Sequence, residues 1–399
     1  MILKSLMPAY GGYTIARDEK VILIKGAIPG EVVEAAIEEK KKDYAIASVT
    51  NVIEASEYRI EPGCPVFGIC GGCQLQFVSY EKQLMMKDEI ILDSLKRISG
   101  MEISLEPVFS DLLWNYRHRA QFKISRNGEI GLFRESSRDV VTFQSCPLME
   151  QEINTLLKKM KETDCTRNIS EIHISAGDSA VVFLKGRYYD RVLLSDAYRE
   201  IGFSGVMFDD GNRIDKGYTN FDLNGMRYTV GPRTFFQAHW SLNKKVVDFV
   251  VQQLLPLNGK RVLDLYAGAG NFSLAFAAHA DEVVAVEENP FAVGDGIRNM
   301  ELNNLKNCTF VRAPAEKYKM KNKFDILMLD PPRPGLTADM ISKILANPAD
   351  TVIYISCNPA TLARDLKKLH EKYEIKAIRQ IDFFPNTYHI ETITFLQIR

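Results

Sequence analysis

Cys357 stands in Ser356-Cys357-Asn358-Pro359, directly after the apolar run Thr351–Ser356. Asn is a favoured helix N-cap and Pro a favoured first helical residue, so this segment predicts a strand end meeting a helix start. A thiol there is expected to have a lowered pKa and to be a nucleophile, where a lone cysteine is otherwise a buried structural residue. Asp330-Pro331-Pro332-Arg333 follows another short apolar run and places Asp330 beyond a strand end, where open α/β sheets bind ligands. The plainer use of Asp and Pro there is a turn. Near the C-terminus, Tyr388-His389-Ile390-Glu391-Thr392-Ile393, if extended, puts His389 and Glu391 on one face. Glu391 is then a candidate general base and His389 a rival.

A thiol and a carboxylate together suit methylation of a carbon. C5 of uracil is a poor nucleophile, and thiolate addition at C6 makes it enolate-like. A base must then take the C5 proton so that the thiol can leave, which divides one hard step into easier ones. Methylation of an amino group needs no cysteine, and a non-catalytic RNA-binding chain needs neither group.

A nucleotide-type cleft is written upstream. Arg261-Val262-Leu263-Asp264-Leu265-Tyr266-Ala267-Gly268-Ala269-Gly270-Asn271-Phe272-Ser273 reads as strand, glycine turn and helix start. Gly268 and Gly270 let backbone approach a ligand. Glu287 ends the next strand and can accept from ribose hydroxyls. Ser273 replaces the third glycine of a dinucleotide motif, and Asp264 precedes the turn. Acidic residues suit a cationic ligand better than a pyrophosphate, favouring S-adenosylmethionine over NAD.

Cys64, Cys70 and Cys73 have spacing C-x5-C-x2-C, and Cys146-Pro147 offers a fourth thiol. Four thiolates suit Zn²⁺ or an iron–sulfur cluster, and spacing leaves both open, with three clustered cysteines plus a distant Cys-Pro leaning to the cluster. Cys165 and Cys308 read as structural.

These segments need a scaffold. The 399 residues, 46% hydrophobic and 25% charged, indicate two or three folded domains. Residues 1–56 read as short strands with close turns, a small β-barrel or sandwich. Residues 57–232 hold the cysteine cluster, a helix over 79–99 with Ser79 as cap and Gly100 as stop, and an otherwise β-rich stretch; the helix can pack on the following domain. Residues 233–399 alternate strands and helices, the pattern of a parallel sheet covered on both faces. The net charge of −1 means that any nucleic-acid grip rests on local patches such as Lys40-Lys41-Lys42 or Arg117, His118, Arg119, Lys123 and Arg126. No apolar run has the length of a signal peptide or membrane helix, so a cytoplasmic protein with unpaired cysteines is expected.

Taken together, the motifs resemble the RNA (uracil-5-)-methyltransferases, specifically the TRAM-containing, iron–sulfur type acting on 23S rRNA and in some organisms on the tRNA T-loop, over essentially the full length. The resemblance implies a multidomain α/β protein: a Rossmann-like S-adenosylmethionine methyltransferase domain, an N-terminal OB-like TRAM β-barrel and a β-rich central iron–sulfur domain. Gly11-Gly12 with Ala27-Ile28-Pro29-Gly30-Glu31 resembles the TRAM domain. The resemblance implies [4Fe-4S] ligation by Cys64, Cys70, Cys73 and Cys146. It implies cofactor contacts at Gln237 (within Phe235-Phe236-Gln237), Tyr266, Gly268, Asn271, Glu287 and Asp330, with Cys357 as nucleophile and Glu391 as proton acceptor. It further implies a flipped uridine of 23S rRNA or tRNA as target, and a monomer. One departure stands out: Pro314 occupies the place where the family usually has an adenine-binding Asp or Asn, leaving a backbone carbonyl or Glu316 to substitute.

Overall fold

The computed structural model describes residues 1–399 except residue 321. The first six strands are β1 (Ile2–Lys4), β2 (Met7–Ala9), β3 (Tyr13–Arg17), β4 (Val21–Lys25), β5 (Val32–Lys40) and β6 (Tyr44–Glu54). They form one curled sheet in the order β1-β5-β6-β4-β3-β2. Alternate residues point inward, so Ala16, Ile22, Ile24, Val33, Ala35 and Ala47 make its core. Three register shifts between β5 and β6 let the sheet bend. Glu31, 1% exposed, fixes the sheet to the next segment. It accepts from Arg59 Nη2 at 2.6 Å and from the Ile28 and Ser56 amides.

Helix α1 (Tyr80–Ser94) continues through a wider turn to Ser99 and stops at Gly100, whose φ is +76°. Ser79 makes no capping bond with its side chain. The buried face of the helix takes in the polar Gln83 and Lys87, because partners await them. Lys87 Nζ meets Asp382 at 2.6 Å, and Gln83 Nε2 meets Asn386 Oδ1 at 3.2 Å. Ile91 and Leu95 join Leu362 and Leu366 in one core. The chain then contributes β7 (Glu106–Phe109) to the edge of the C-terminal sheet.

Strands β8 (Arg119–Ile124), β9 (Ile130–Phe133) and β10 (Val140–Thr142) are followed by helix α2 (Gln151–Lys161), then β11 (Ile169–Ala176), β12 (Ala180–Gly186), helix α3 (Arg191–Ile201), β13 (Gly205–Phe208) and β14 (Arg213–Asp215). The sheet order is β10-β9-β8-β11-β12-β13-β14. The two helices depart from the β-rich expectation. Their spacing explains them: Ile153, Leu156, Leu157 and Met160 form one helical stripe buried against Ile172 and Ile174. A hairpin, β15 (Thr219–Leu223) and β16 (Met226–Val230), turns at Asn224-Gly225 with both φ values positive.

The last part runs α4 (Trp240–Leu254), β17 (Arg261–Leu265), α5 (Ser273–Ala277), β18 (Glu282–Glu287), α6 (Pro290–Leu302), β19 (Cys308–Arg312), β20 (Ile326–Leu329), α7 (Ala338–Ala346), β21 (Thr351–Ser356), α8 (Pro359–Leu369), β22 (Tyr373–Ile381) and β23 (Glu391–Ile398). The eight-stranded order is β19-β18-β17-β20-β21-β23-β22-β7. The first five are parallel, and β23 is antiparallel to both neighbours. Both faces are covered. Val262, Ile326, Met328, Ile353 and Ile355 face one core, and Leu263, Leu265, Leu327, Leu329 and Val352 the other. Strand order reverses between β17 and β20, which opens a crevice at their carboxyl ends. No helix among the described residues is long and apolar enough to cross a membrane.

Candidate active site

The crevice is a cleft of about 620 Å³ lined by Gln237, Asp264, Tyr266, Gly268, Asn271, Glu287, Asp330, Cys357 and Glu391, among others. Every residue expected from the sequence to bind the cofactor or do the chemistry is therefore on one wall or another of a single space.

The turn after β17 is shaped by backbone that few residues adopt. Tyr266 has φ +65°, Gly268 +56° and Gly270 +90°. A Cβ on Gly270 would stand 2.9 Å from the Phe310 ring. The turn aims the Gly268 amide at Glu287 Oε2, 2.9 Å away, while Glu287 Oε1 accepts from the Asn289 amide at 2.7 Å. Glu287 is thus rigidly placed. The Asn271 and Asn243 side-chain amides exchange two hydrogen bonds of 2.8 and 2.9 Å. Asp264, 1% exposed, accepts from Ser273 Oγ. Burial pushes its pKa up to about 7, with smaller contributions from Asp330 and Glu287. Glu316, two positions after Pro314, lines the cleft, and its Oε1 accepts from Tyr266 Oη at 2.8 Å.

Gln237 is 8% exposed, and its Oε1 has no hydrogen-bond partner among the described residues. A buried carbonyl without a donor costs about 1–3 kcal/mol, so this atom awaits a donor from a ligand. Among the described residues the cleft lining holds six acidic side chains (Asp264, Glu287, Glu288, Glu316, Asp330 and Glu391) against one guanidinium, Arg333, with Asp264, Asp330 and Glu391 part-protonated near neutral pH. That balance fits a cationic guest and disfavours a pyrophosphate.

Cys357 lies between β21 and α8, as the local sequence requires. Asn358 caps α8 by accepting from the Ala360 and Thr361 amides at 3.0 and 3.4 Å, and Pro359 is the first helical residue. The expected lowering of the thiol pKa is not observed. Burial pushes the Cys357 thiol up to about 11, the carboxylates of Glu391 and Asp330 add to this, and Arg333 opposes it. Asn358 absorbs the helix amides, and the carboxylates arrive from other strands. Glu391 opens β23 at 8% exposure. Burial and Asp330 raise it to about 8, again against Arg333. Asp330 itself is raised to about 7 by burial and Glu287. Burial and the nearby Arg333 hold His389 down near 4, and its Nδ1 accepts from Arg333 Nη2 at 3.2 Å. A neutral imidazole so engaged is a poor base, so Glu391 is the stronger candidate of the two.

Sequence reasoning passed over Arg333 as a partner of the base loop and Phe235 as a cleft wall. Phe235 is 61% exposed, a rarity for such a side chain, and the Arg119 guanidinium lies 5.5 Å from its ring centre. Arg119 and Arg117 each have a buried Nε without a partner among the described residues. The other expected basic groups are partly neutralised: Lys41 pairs with Glu39, and Lys123 with Glu171.

Cys64, Cys70, Cys73 and Cys146 line one separate small cavity of about 30 Å³, walled by Val66, Phe67, Leu132, Phe143 and Leu148. Burial raises the Cys70 and Cys146 thiols and takes Cys73 to about 12. Among the described residues, no three His, Cys, Asp or Glu side chains are arranged to hold a single metal ion. Cys165 and Cys308 are buried singly, in keeping with structural roles.

Comparison with known proteins agrees with this geometry. The family described as "tRNA (Uracil-5-)-methyltransferase" matches residues 215–399. An RNA methyltransferase of Aquifex aeolicus, itself uncharacterized, is 33% identical, over 98% of this chain and 96% of that protein. The 23S rRNA (uracil(1939)-C(5))-methyltransferase RlmD of Vibrio parahaemolyticus is 31% identical, over 95% and 91%. The crystal structure of Pyrococcus abyssi tRNA (uracil-54, C5)-methyltransferase in complex with S-adenosyl-L-homocysteine has the same fold, with a TM-score of 0.79, 24% identity and 99% coverage of both chains.

Proposed function

The chain belongs to the RNA (uracil-5-)-methyltransferase family, and from that premise we propose that it uses S-adenosylmethionine to methylate C5 of a uridine in 23S rRNA, with Cys357 as nucleophile and Glu391 as base. The observation that carries this reading is the meeting of Cys357 and Glu391 in one acidic cleft at the carboxyl ends of the parallel strands.

Gln237, Tyr266, Gly268, Asn271, Glu287 and Asp330 would hold S-adenosylmethionine, with the unpartnered Gln237 Oε1 and the surplus of carboxylates as the fit to a cationic ligand. Glu316 stands in for the absent adenine-binding residue. The cofactor, when bound, supplies an electrophilic methyl group. The Cys357 thiol gives up its proton to solvent, Sγ bonds as the thiolate to C6 of the uracil, and the C5–C6 electron pair shifts toward C5 and O4. After C5 has gained the methyl group, Glu391 takes the C5 proton, the C5–C6 double bond re-forms, and the thiolate leaves. A carboxylate raised to about 8 is a stronger base than an ordinary one, which suits the task. Phe235 offers an exposed ring on which an unstacked base can rest.

The same reading makes residues 1–56 a TRAM-like RNA-binding domain, residues 57–232 a central domain and residues 233–399 the catalytic domain. Cys64, Cys70, Cys73 and Cys146 would hold a [4Fe-4S] cluster. What supports this part of the reading is that the four thiols line one apolar cavity. No step of methylation passes through it.

The test is methyl transfer to 23S rRNA and to tRNA transcripts, followed by mapping of 5-methyluridine. Incorporation into 23S rRNA that Cys357→Ala abolishes supports the proposal. Incorporation into the tRNA T-loop alone selects the second reading, which the family description favours.

A further inference from the structure

One side chain of the N-terminal sheet reaches the nucleophile of the C-terminal one. Tyr10 lies in the turn between β2 and β3, followed by Gly11 and Gly12 with φ values of +99° and +83°. The turn is pressed against the segment leading into β23. A Cβ on Gly12 would stand 2.9 Å from Gln74 Cβ and 3.6 Å from Tyr388 Cβ. Gln74 is fixed in turn: its amide donates to Asn386 O at 3.1 Å and its Nε2 to Gly71 O at 2.9 Å. The Tyr10 ring meets Tyr388 edge to face, with centres 5.6 Å apart, and Tyr388 lies 4.3 Å from the His389 ring. The Tyr10 hydroxyl donates a long hydrogen bond, 3.4 Å, to the backbone carbonyl of Cys357. Tyr10 is not among the residues lining the cleft.

β21 ends at Ser356 and α8 begins at Pro359, so the Cys357 carbonyl lies outside the ladder and the helix, while the N–H of the same peptide, on Asn358, donates to Ser356 Oγ at 3.3 Å. The Asn358 side chain is committed to capping α8. A shift of the Cys357 backbone would carry Sγ with it, and an ångström of misplacement is costly for a group that must meet one ring carbon.

We infer that Tyr10 is a positioning residue for Cys357, holding the Cys357 peptide with its hydroxyl and the loop before Glu391 with its ring, so that the N-terminal sheet sets the thiol against the target base. Tyr10 touches no reacting atom and acts through the Cys357 backbone and Tyr388.

This inference rests on Cys357 being the nucleophile, and the experiment separates the two. Full-length Tyr10→Phe and Tyr10→Ala are compared with wild type and Cys357→Ala in the single-turnover rate of covalent adduct formation with 5-fluorouridine RNA. RNA is saturating, S-adenosylmethionine is present, and RNA affinity is measured separately. Loss of the hydroxyl is expected to slow the step about threefold, and loss of hydroxyl and ring about tenfold or more, as for one and for several weak contacts. RNA Kd should stay within about twofold, since the effect is on placement and not on grip. Wild-type rates at saturating RNA, with any defect confined to RNA affinity, overturn the positioning role while leaving the nucleophile intact. An adduct formed by Cys357→Ala overturns the premise itself. If Tyr10→Ala does not fold, Tyr10→Phe decides alone: a wild-type rate rejects the tether.

Discussion

Arg333 Nη2 stands 3.2 Å from His389 Nδ1, joining the Asp-Pro-Pro-Arg loop to the segment that carries Glu391. The same guanidinium is the opposing influence on both reactive groups: it lowers the thiol of Cys357 and the carboxyl of Glu391, each of which burial raises. Replacing Arg333 with Ala should therefore move both upward. Adduct formation at neutral pH should fall about tenfold for each unit by which the thiol rises, and the pH–rate profile should shift to the alkaline side. Superimposable profiles for Arg333→Ala and wild type would show that this cation does not tune the site.

Glu391→Gln keeps the shape and loses the proton acceptor. Turnover should drop by about 100-fold or more, the usual scale of a general base. The thiol can still add, so a protein–RNA species should persist on denaturing gels with unsubstituted RNA. A variant that is inactive without accumulating any adduct would take Glu391 out of the proton-abstraction step.

Asp264 gives the apoprotein a stability that depends on pH. Its ordinary pKa of 3.8 rises to about 7 in the fold, mainly through burial. Below pH 4 the group is protonated in both states. Between pH 4 and 7 the unfolded chain releases the proton and the folded chain retains it, so stability is lost as pH climbs through this window. Asp264→Asn removes the charge and can still accept from Ser273. It should melt about 2–4 °C higher than wild type at pH 8, with little advantage at pH 4. An equal difference at both values would refute this linkage.

Anaerobically purified protein should contain iron and acid-labile sulfide near four of each per chain, the content of one [4Fe-4S] cluster. Cys73→Ser should lose both while retaining S-adenosylmethionine binding in the separate cleft. Stoichiometric zinc would overturn the assignment.

How legible the molecule is in its sequence follows from the range of each interaction. Arg261–Leu265, Glu282–Glu287 and Thr351–Ser356 are read without error because a strand buried on both faces is a plain apolar run. Tyr373–Ile381 interleaves Glu374, Lys376 and Arg379 with apolar residues and gives no such run, so β22 emerges only in the fold. The α2 stripe of Ile153, Leu156, Leu157 and Met160 was there to be read, but neighbouring strands masked it. Local chemistry at Cys357 is equally plain, since Asn358 and Pro359 dictate the helix start. What the thiol experiences is not local. Burial first, and then Glu391 and Asp330 brought in from distant segments, reverse the direction expected from the helix alone. The Tyr266–Glu316 bond spans 50 positions and the Tyr10–Cys357 contact 347, distances at which spacing carries no information.

The central claim is a bond between one sulfur and one ring carbon. The direct measurement is to incubate the protein with S-adenosylmethionine and 5-fluorouridine-substituted target RNA, digest the product and locate the crosslink by mass spectrometry. The account predicts a methylated fluorouridine attached to Cys357, and no attachment in Cys357→Ala. Methylated RNA with no nucleotide on Cys357, or an attachment at another residue, would contradict it.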